Sequence, residues 1–169
     1  LKLEIVERLD ISEFVLNIGL FNDELECMED YLEPLAQALK YNLPMVCANP
    51  DLEVMRGEKT VLCAGAVAKR YEDLGGEVFY HGKPFPRAYE FCFDILTGIP
   101  KSRILAAGDS LRTDIAGANA AGIDSMLVMG GLYADAFDFK EKRSTIETLD
   151  KMIVDSGNTP TSAIASFKW

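Results

Sequence analysis

The sequence predicts an α/β fold, because short apolar segments of strand length alternate with longer segments that have helical periodicity. Glycine pairs and an Asn-Pro-Asp turn separate these segments, as expected where short loops join strands to helices. With 169 residues and 49% hydrophobic content, the chain can bury a core and has room for one domain or two small lobes.

Residues 1–80 are predicted to form one α/β lobe. Its elements, in order, are an apolar run from Phe14 to Ile18, a helix from Met28 to Lys40, a strand from Met45 to Ala48, a helix from Thr60 to Leu74 and a strand from Glu77 to Tyr80. Gly75-Gly76 ends the second helix, since glycine is common just past a helix C-terminus.

Residues 81–169 are predicted to form a second lobe, which begins with the loop His81-Gly82-Lys83-Pro84. Its elements are a helix from Arg87 to about Leu96 with Pro86 in its first turn, a buried strand from Ile104 to Ala107, a helix from Asp114 to Ala121, a strand from Ser125 to Met129, a helix around Thr145 to Ile153 and an apolar run from Ala163 to Phe167.

The charge and the cysteines of the chain limit its partners and its compartment. A formal net charge of −10 would repel nucleic acid and anionic membrane surfaces alike. The four cysteines form no CxxC pair, which favours free thiols in a reducing cytosol over a zinc site. No apolar run approaches the ~20 residues that a membrane helix needs. We therefore expect a cytoplasmic protein with neither a nucleic acid nor a membrane as its partner.

The segment from Gly108 to Asp114, GDSLRTD, carries the strongest functional signal. It directly follows a predicted strand, at the carboxyl edge where open parallel sheets bind ligands. Asp109 and Asp114 can both approach one hard cation, and carboxylate oxygens suit magnesium. The donors between them, with the amides of a helix N-terminus, suit a phosphate; they are Ser110, Arg112 and Thr113. The alternative is a simple Gly-Asp turn with Asp114 as a helix cap.

Gly82-Lys83-Pro84 lies one helix before that strand, so Lys83 can reach the same crevice and neutralise a phosphate or a carboxylate nucleophile. An isolated GKP is a weak signal, because an exposed lysine in a turn is ordinary. The combination of GKP, one helix, a strand and GDxxxxD is far more specific.

The string GKPFPRAYEFCFDILTGIPKSRILAAGDSLRTDIAGANAAGIDSMLVMGGL resembles the third and fourth motifs of haloacid dehalogenase (HAD) superfamily phosphatases. With CANPD before a helix containing LCAGA, it is similar to the class IIA, sugar-phosphatase-like branch, whose α/β cap lies between the second and third motifs. The resemblance extends from about Phe14 to Leu132. It implies that residues 1–80 are part of such a cap and residues 81–169 the C-terminal half of a Rossmann-like core with a parallel sheet.

The same resemblance implies roles for individual residues. Lys83 would be the catalytic lysine of the third motif, and Asp109 and Asp114 would supply carboxylates to Mg²⁺. The substrate-binding residues would be Asn49 and Asp51 of the cap loop and, in the phosphate pocket, Ser110, Arg112 and Thr113. The implied activity is hydrolysis of a small phosphorylated metabolite, a sugar or nucleotide phosphate, through an aspartyl phosphate. Homo-oligomerisation through the cap would also fit this family.

The sequence departs from the family pattern in one respect. The family begins with a DxDG segment whose first aspartate attacks phosphorus, followed by a Ser or Thr motif, and neither occurs in these 169 residues. We therefore expect a chain that is N-terminally incomplete and inactive alone. The alternative is a non-catalytic phosphate-binding or regulatory module without the nucleophile. A receiver-like signalling domain fits poorly, because its lysine normally follows the acidic residues.

Three further residues are interpreted without a catalytic role. His81, the only histidine, is expected to be solvated or to contact the cap, since the family chemistry needs no histidine there. Cys63 and Cys92 occupy apolar helical faces and are predicted to lie in the core.

Overall fold

The computed structural model describes residues 3–57 and 59–168. The chain divides into two compact units, Leu1–Gly82 and Lys83–Trp169. Both contain parallel sheets and helices, which confirms the predicted α/β fold. The identification of the units as a cap and a catalytic core stays a prediction at this point. Within the described residues, no helix is both long enough and apolar enough to cross a membrane.

The first unit is built on a parallel three-stranded sheet of order β1-β2-β5. Its helices and strands are β1 (Val15–Asn17), a 3₁₀ turn (Met28–Tyr31), α1 (Leu32–Lys40), β2 (Met45–Cys47), β3 (Glu53–Arg56), β4 (Lys59–Leu62), α2 (Ala64–Asp73) and β5 (Val78–Tyr80). A further 3₁₀ turn, Leu9–Ile11, precedes β1. The central strand β2 has buried side chains at both ends, Met45 and Cys47.

The core of this unit forms where α1 and α2 cover one face of the sheet. Tyr71 of α2 is fully buried, and its hydroxyl donates a hydrogen bond of 2.6 Å to the backbone oxygen of Leu43, just before β2. Gly76 is required beside it, because a Cβ atom there would lie 2.3 Å from the Tyr71 ring. These contacts fix α2 against the sheet and so fix the turn that follows β2.

The predicted helix from Thr60 to Leu74 begins too early. Residues 59–62 form strand β4, which pairs antiparallel with β3, and Val61 lies opposite Val54. Gly57, with a φ of +64°, supplies the left-handed backbone of the hairpin turn. The helix begins only at Ala64, because the β-branched residues of β4 are held in the hairpin. Cys63 is half-buried, at the position preceding the helix.

The second unit is built on a parallel three-stranded sheet of order β6-β7-β8. Its helices and strands are α3 (Pro86–Ile95), β6 (Leu105–Gly108), a π-helical turn (Leu111–Ile115), α4 (Ala116–Ala121), β7 (Asp124–Val128), α5 (Lys142–Ser156) and β8 (Ser162–Ile164). Short 3₁₀ turns occur at Lys101–Arg103 and Ala134–Ala136. Pro86 is the first residue of α3, as predicted from its fixed φ.

Two predictions of burial in this unit are wrong. Strand β6, predicted to be buried, lies at an edge of its sheet, and Leu105 is 52% exposed. Cys92 is exposed, because α3 buries none of its residues among the described part of the chain. The core lies instead around β7 and the π-helical turn, and its buried members are Leu111, Ile115, Leu127, Met129 and Phe137.

Candidate active site

The loop from Gly108 to Asp114 leaves β6 and turns at once into the π-helical segment Leu111–Ile115. The Ser110 hydroxyl caps this segment by accepting a hydrogen bond of 3.2 Å from the Thr113 amide. Gly108 is required for the turn, because a Cβ atom there would lie 2.1 Å from Cγ of Asp114. The predicted helix start at Asp114 is therefore corrected: regular α-helix begins at Ala116, after a wider turn of a kind often found at functional sites.

Asp114 is the centre of the loop's polar contacts. Its Oδ1 accepts a hydrogen bond of 2.5 Å from Nζ of Lys83, across 31 positions of sequence. Its Oδ2 accepts two backbone hydrogen bonds, each 3.1 Å long, from the amides of Asp109 and Ser110. The carboxylate is buried, whereas the Lys83 side chain is 45% exposed. Asp114 thus shapes the loop with one oxygen and orients the lysine with the other.

Asp109 lies at the carboxyl end of β6, where the sequence places a metal ligand. Its Oδ2 accepts a hydrogen bond of 3.0 Å from the Leu132 amide in the loop after β7. Gly131 allows this approach, because a Cβ atom at that position would lie 2.2 Å from the same oxygen. Oδ1 of Asp109 accepts no hydrogen bond from the described part of the chain, so one oriented carboxylate oxygen remains available to a ligand.

The other predicted residues of this loop differ in accessibility. Arg112 is exposed, whereas Ser110 and Thr113 are buried. The Thr113 hydroxyl is the one buried side-chain polar atom of the described residues that has no hydrogen-bond partner. Direct contact of Ser110 or Thr113 with a substrate would require the loop to open, and their substrate-binding role stays a prediction.

Asn49 and Asp51 belong to the first unit, in the turn that follows β2. The Asn49 side chain accepts a hydrogen bond of 3.2 Å from the Asp51 amide, which is the geometry of an Asx turn. Gly65 at the start of α2 packs directly on this turn, since a Cβ atom there would lie 2.3 Å from the Pro50 oxygen. Both side chains are half-buried, and their contact with a substrate stays a prediction.

Two tyrosines that the sequence analysis did not identify form hydrogen bonds with the backbone of the loop from Gly108 to Asp114. The Tyr89 hydroxyl of α3 donates a hydrogen bond of 3.3 Å to the backbone oxygen of Asp114. The pKa of Tyr89 is raised, mainly because the residue is buried and secondly because the charge of Asp114 lies nearby. The Tyr133 hydroxyl accepts a hydrogen bond of 3.3 Å from the Leu111 amide. Neither tyrosine stands in a recognisable motif, so no sequence signal could have identified it.

The geometry fits a magnesium ion held mainly by Asp109. No group of three or more His, Cys, Asp or Glu side chains within residues 3–57 and 59–168 is arranged to hold a metal. Mg²⁺ needs no such group, because it often takes one or two carboxylates and completes its shell with water and substrate phosphate. Both oxygens of Asp114 already accept hydrogen bonds, so this residue is better placed to orient the residues around the metal than to bind the metal directly.

Comparison with known proteins shows a likeness to haloacid dehalogenase-like hydrolases. A family model described as HAD-hydrolase-like matches residues 80–163. The chain is 32% identical to a haloacid dehalogenase-like hydrolase from Brucella suis 1330, with a TM-score of 0.78 over 98% of this chain and 59% of that one. It is 27% identical to a structure described as a possible sugar phosphatase of the HAD superfamily from Cytophaga hutchinsonii, with a TM-score of 0.66 over 86% of this chain and 50% of that one.

A p-nitrophenyl phosphatase from Archaeoglobus fulgidus supports the fold alone, at 23% identity and a TM-score of 0.63 over 94% of this chain and 55% of that one. No curated protein gives a significant match. The chain belongs to the haloacid dehalogenase superfamily, and its structural neighbours are consistent with the class IIA branch. It spans only about half to three fifths of the length of these structures.

Proposed function

We propose that the chain is part of a cytoplasmic, Mg²⁺-dependent phosphatase that acts on small phosphorylated metabolites. In this proposal the first unit contributes to an α/β cap and the second to the catalytic core. The observation that carries it is the ion pair of 2.5 Å between Lys83 and Asp114, which joins the GKP and GDSLRTD segments beside Asp109. A cation and a carboxylate held together at the carboxyl edge of a parallel sheet suit a phosphate ester and its metal.

The chain's own residues would position and stabilise the phosphate. Lys83, held by Asp114, would neutralise charge on the transferring phosphoryl group, while Asp109 would offer its open oxygen to the metal. Magnesium, when bound, would neutralise further charge on the phosphate oxygens. The nucleophilic aspartate that forms an aspartyl phosphate is not among these 169 residues, since they contain no DxD sequence, and the proposal requires it to come from outside them.

The test combines the mass of the protein purified from its natural source with hydrolysis of p-nitrophenyl phosphate at varied Mg²⁺ concentration. We expect a mass above the 18.7 kDa of this chain and Mg²⁺-dependent turnover. Lys83→Met and Asp109→Asn should each reduce turnover by about 100-fold or more. Lys151→Met, an exposed lysine of α5, is the matched control and should leave turnover unchanged. Near-normal turnover in Lys83→Met would show that the proposed mechanism is wrong.

A non-catalytic phosphate-binding module is the second candidate, favoured by the lack of a DxD sequence in the chain. It predicts a purified protein of 18.7 kDa that binds Mg²⁺ and inorganic phosphate but does not hydrolyse p-nitrophenyl phosphate. Under that outcome the phosphatase proposal is withdrawn for this protein, and the Lys83–Asp114 pair is assigned to binding alone.

A further inference from the structure

Lys83 and Tyr89 belong to one short segment of the chain, and both contact Asp114. Nζ of Lys83 donates a hydrogen bond of 2.5 Å to the Asp114 carboxylate, across 31 positions of sequence. The Tyr89 hydroxyl donates one of 3.3 Å to the backbone oxygen of the same residue, across 25 positions. Lys83 comes just before α3, and Tyr89 lies in the first turn of that helix. The segment that carries the lysine therefore binds Asp114 at its side chain and at its backbone.

The Tyr89 ring packs against α4 at Gly117. A Cβ atom at Gly117 would lie 2.3 Å from the Tyr89 hydroxyl oxygen and 2.5 Å from Cε2 of its ring, so only a glycine allows this approach. Gly117 is a buried residue inside α4, where glycine is less favourable than alanine. The glycine thus makes room for a tyrosine that reaches the backbone of Asp114.

The ion pair with Asp114 does not by itself hold Lys83 firmly. The Lys83 side chain is 45% exposed, so solvent screens the attraction, and lysine has a long, flexible stem. Tyr89 is better suited to fix a position, because its ring has only two side-chain torsions and is partly buried. Its contact holds α3 against the π-helical turn and so limits where the lysine can stand.

The electrostatics of Tyr89 agree with a hydrogen-bond donor between two charges. Burial raises the pKa of Tyr89, the charge of Asp114 raises it further, and the charge of Lys83 lowers it. Because the net effect is a raised pKa and tyrosine ordinarily titrates near about 10, the hydroxyl is protonated at neutral pH and can donate to the Asp114 oxygen.

We propose that Tyr89 is a positioning residue for Lys83, which acts by holding the backbone of Asp114 and thereby the direction in which its carboxylate binds the lysine. The inference rests on the proposed function, because it takes Lys83 to neutralise charge on the transferring phosphoryl group. A misplacement of about 1 Å in such a group can lower turnover by about 100-fold. The Tyr89 hydroxyl supplies one long hydrogen bond, so its removal should lower turnover by about two- to fivefold.

The first part of the test needs no substrate. It uses NMR of the 169-residue chain containing ¹³C,¹⁵N-labelled lysine, in which the Lys83 side-chain signal is assigned by its loss in Lys83→Met. We expect the Lys83 ammonium protons to exchange with water about two- to fivefold faster in Tyr89→Phe, which keeps the ring and removes only the hydroxyl. Tyr133→Phe is the matched control: it removes the other hydroxyl bound to this loop and should leave the Lys83 signal unchanged.

The second part measures hydrolysis of p-nitrophenyl phosphate by the complete protein with Mg²⁺. In Tyr89→Phe we expect kcat to fall by about two- to fivefold, with KM unchanged. A merely structural role would instead lower the temperature of inactivation and leave kcat per folded molecule unchanged. Tyr41→Phe, at an exposed tyrosine, should keep both constants. Gly117→Ala displaces the ring and should lower kcat at least as much as Tyr89→Phe.

The outcomes separate this inference from the proposed function. An unchanged Lys83 signal in Tyr89→Phe, or an equal change in Tyr133→Phe, would overturn the role of Tyr89 whatever the activity. Unchanged kcat in Tyr89→Phe would also overturn it, provided that Lys83→Met has lost turnover, and the proposed function would stand. If Lys83→Met keeps its turnover, the proposed mechanism itself is wrong, and the inference falls with it.

Discussion

Replacing Asp114 by asparagine tests the central feature of the site, because it keeps the shape of the side chain and removes its charge. The carboxylate accepts hydrogen bonds from Lys83 and from the amides of Asp109 and Ser110. Asparagine has one acceptor oxygen, so its NH₂ group must face either the lysine or the two amides. In either orientation the new NH₂ group faces another hydrogen-bond donor, which is the Lys83 ammonium in one case and the two backbone amides in the other, at a buried position.

The expected cost follows from these contacts. A hydrogen bond to a charged group contributes about 1.5–3 kcal/mol and a neutral one about 0.5–1.5 kcal/mol, so weakening the two amide bonds costs about 2 kcal/mol. The ion pair adds only about 0–1 kcal/mol, since the Lys83 side chain is 45% exposed and solvent screens it. The free energy of unfolding of the second unit should therefore fall by about 2–3 kcal/mol, which lowers its melting temperature by about 10–20 °C.

Urea unfolding, combined with hydrogen-exchange mass spectrometry of β6 and β7, measures this change in the second unit alone. Asp150→Asn, an exposed carboxylate of α5, is the control and should change stability by no more than about 0.5 kcal/mol. A double-mutant cycle with Lys83→Met separates the ion pair from the amide bonds. A change below about 0.5 kcal/mol in Asp114→Asn would refute the view that this carboxylate organises the loop.

Three further predictions concern the fold and its thiols. Tyr71→Phe removes only the hydroxyl that satisfies a buried carbonyl, so urea denaturation should show a loss of about 1–3 kcal/mol. Gly131→Ala places a methyl group where the Asp109 carboxylate lies, so calorimetry should show Mg²⁺ affinity lowered by about 10-fold or more. Burial raises the pKa of the Cys47 thiol, which lowers its thiolate fraction, so dithionitrobenzoate should label exposed Cys92 in the native protein but Cys47 only on unfolding or at higher pH.

Each of these predictions has a control or an excluding result. Tyr41→Phe, at an exposed tyrosine, should leave stability unchanged, and an equal loss in both tyrosine variants would exclude the buried hydrogen bond as the cause. Gly130→Ala would meet the Ala165 carbonyl rather than Asp109, so it should destabilise the loop with less effect on Mg²⁺. Labelling of Cys47 as fast as Cys92 at neutral pH would show that β2 is not buried as described.

Much of the fold was predictable because it depends on local pattern. Helical periodicity and the proline at the start of α3 identified most helices, and Gly75-Gly76 marked where α2 ends. The β3–β4 hairpin was missed, since its apolar residues continue into those of α2 without a break in the sequence. The burial of β6 was misjudged because apolar composition does not distinguish a central strand from an edge strand.

The sequence by itself identified the candidate groups of the site, which are a lysine in GKP and two aspartates in GDSLRTD, and the order of elements that separates them. Only the tertiary structure decided how these groups are arranged. Sheet order places Ser166 and Phe167 in the same cavity wall as Asp109, and close glycine contacts orient the carboxylate of Asp109. Asp114 accepts hydrogen bonds from a lysine 31 positions away and from two neighbouring amides. Contacts between distant residues depend on how strands pair and loops pack, and the local periodicity of apolar residues predicts neither.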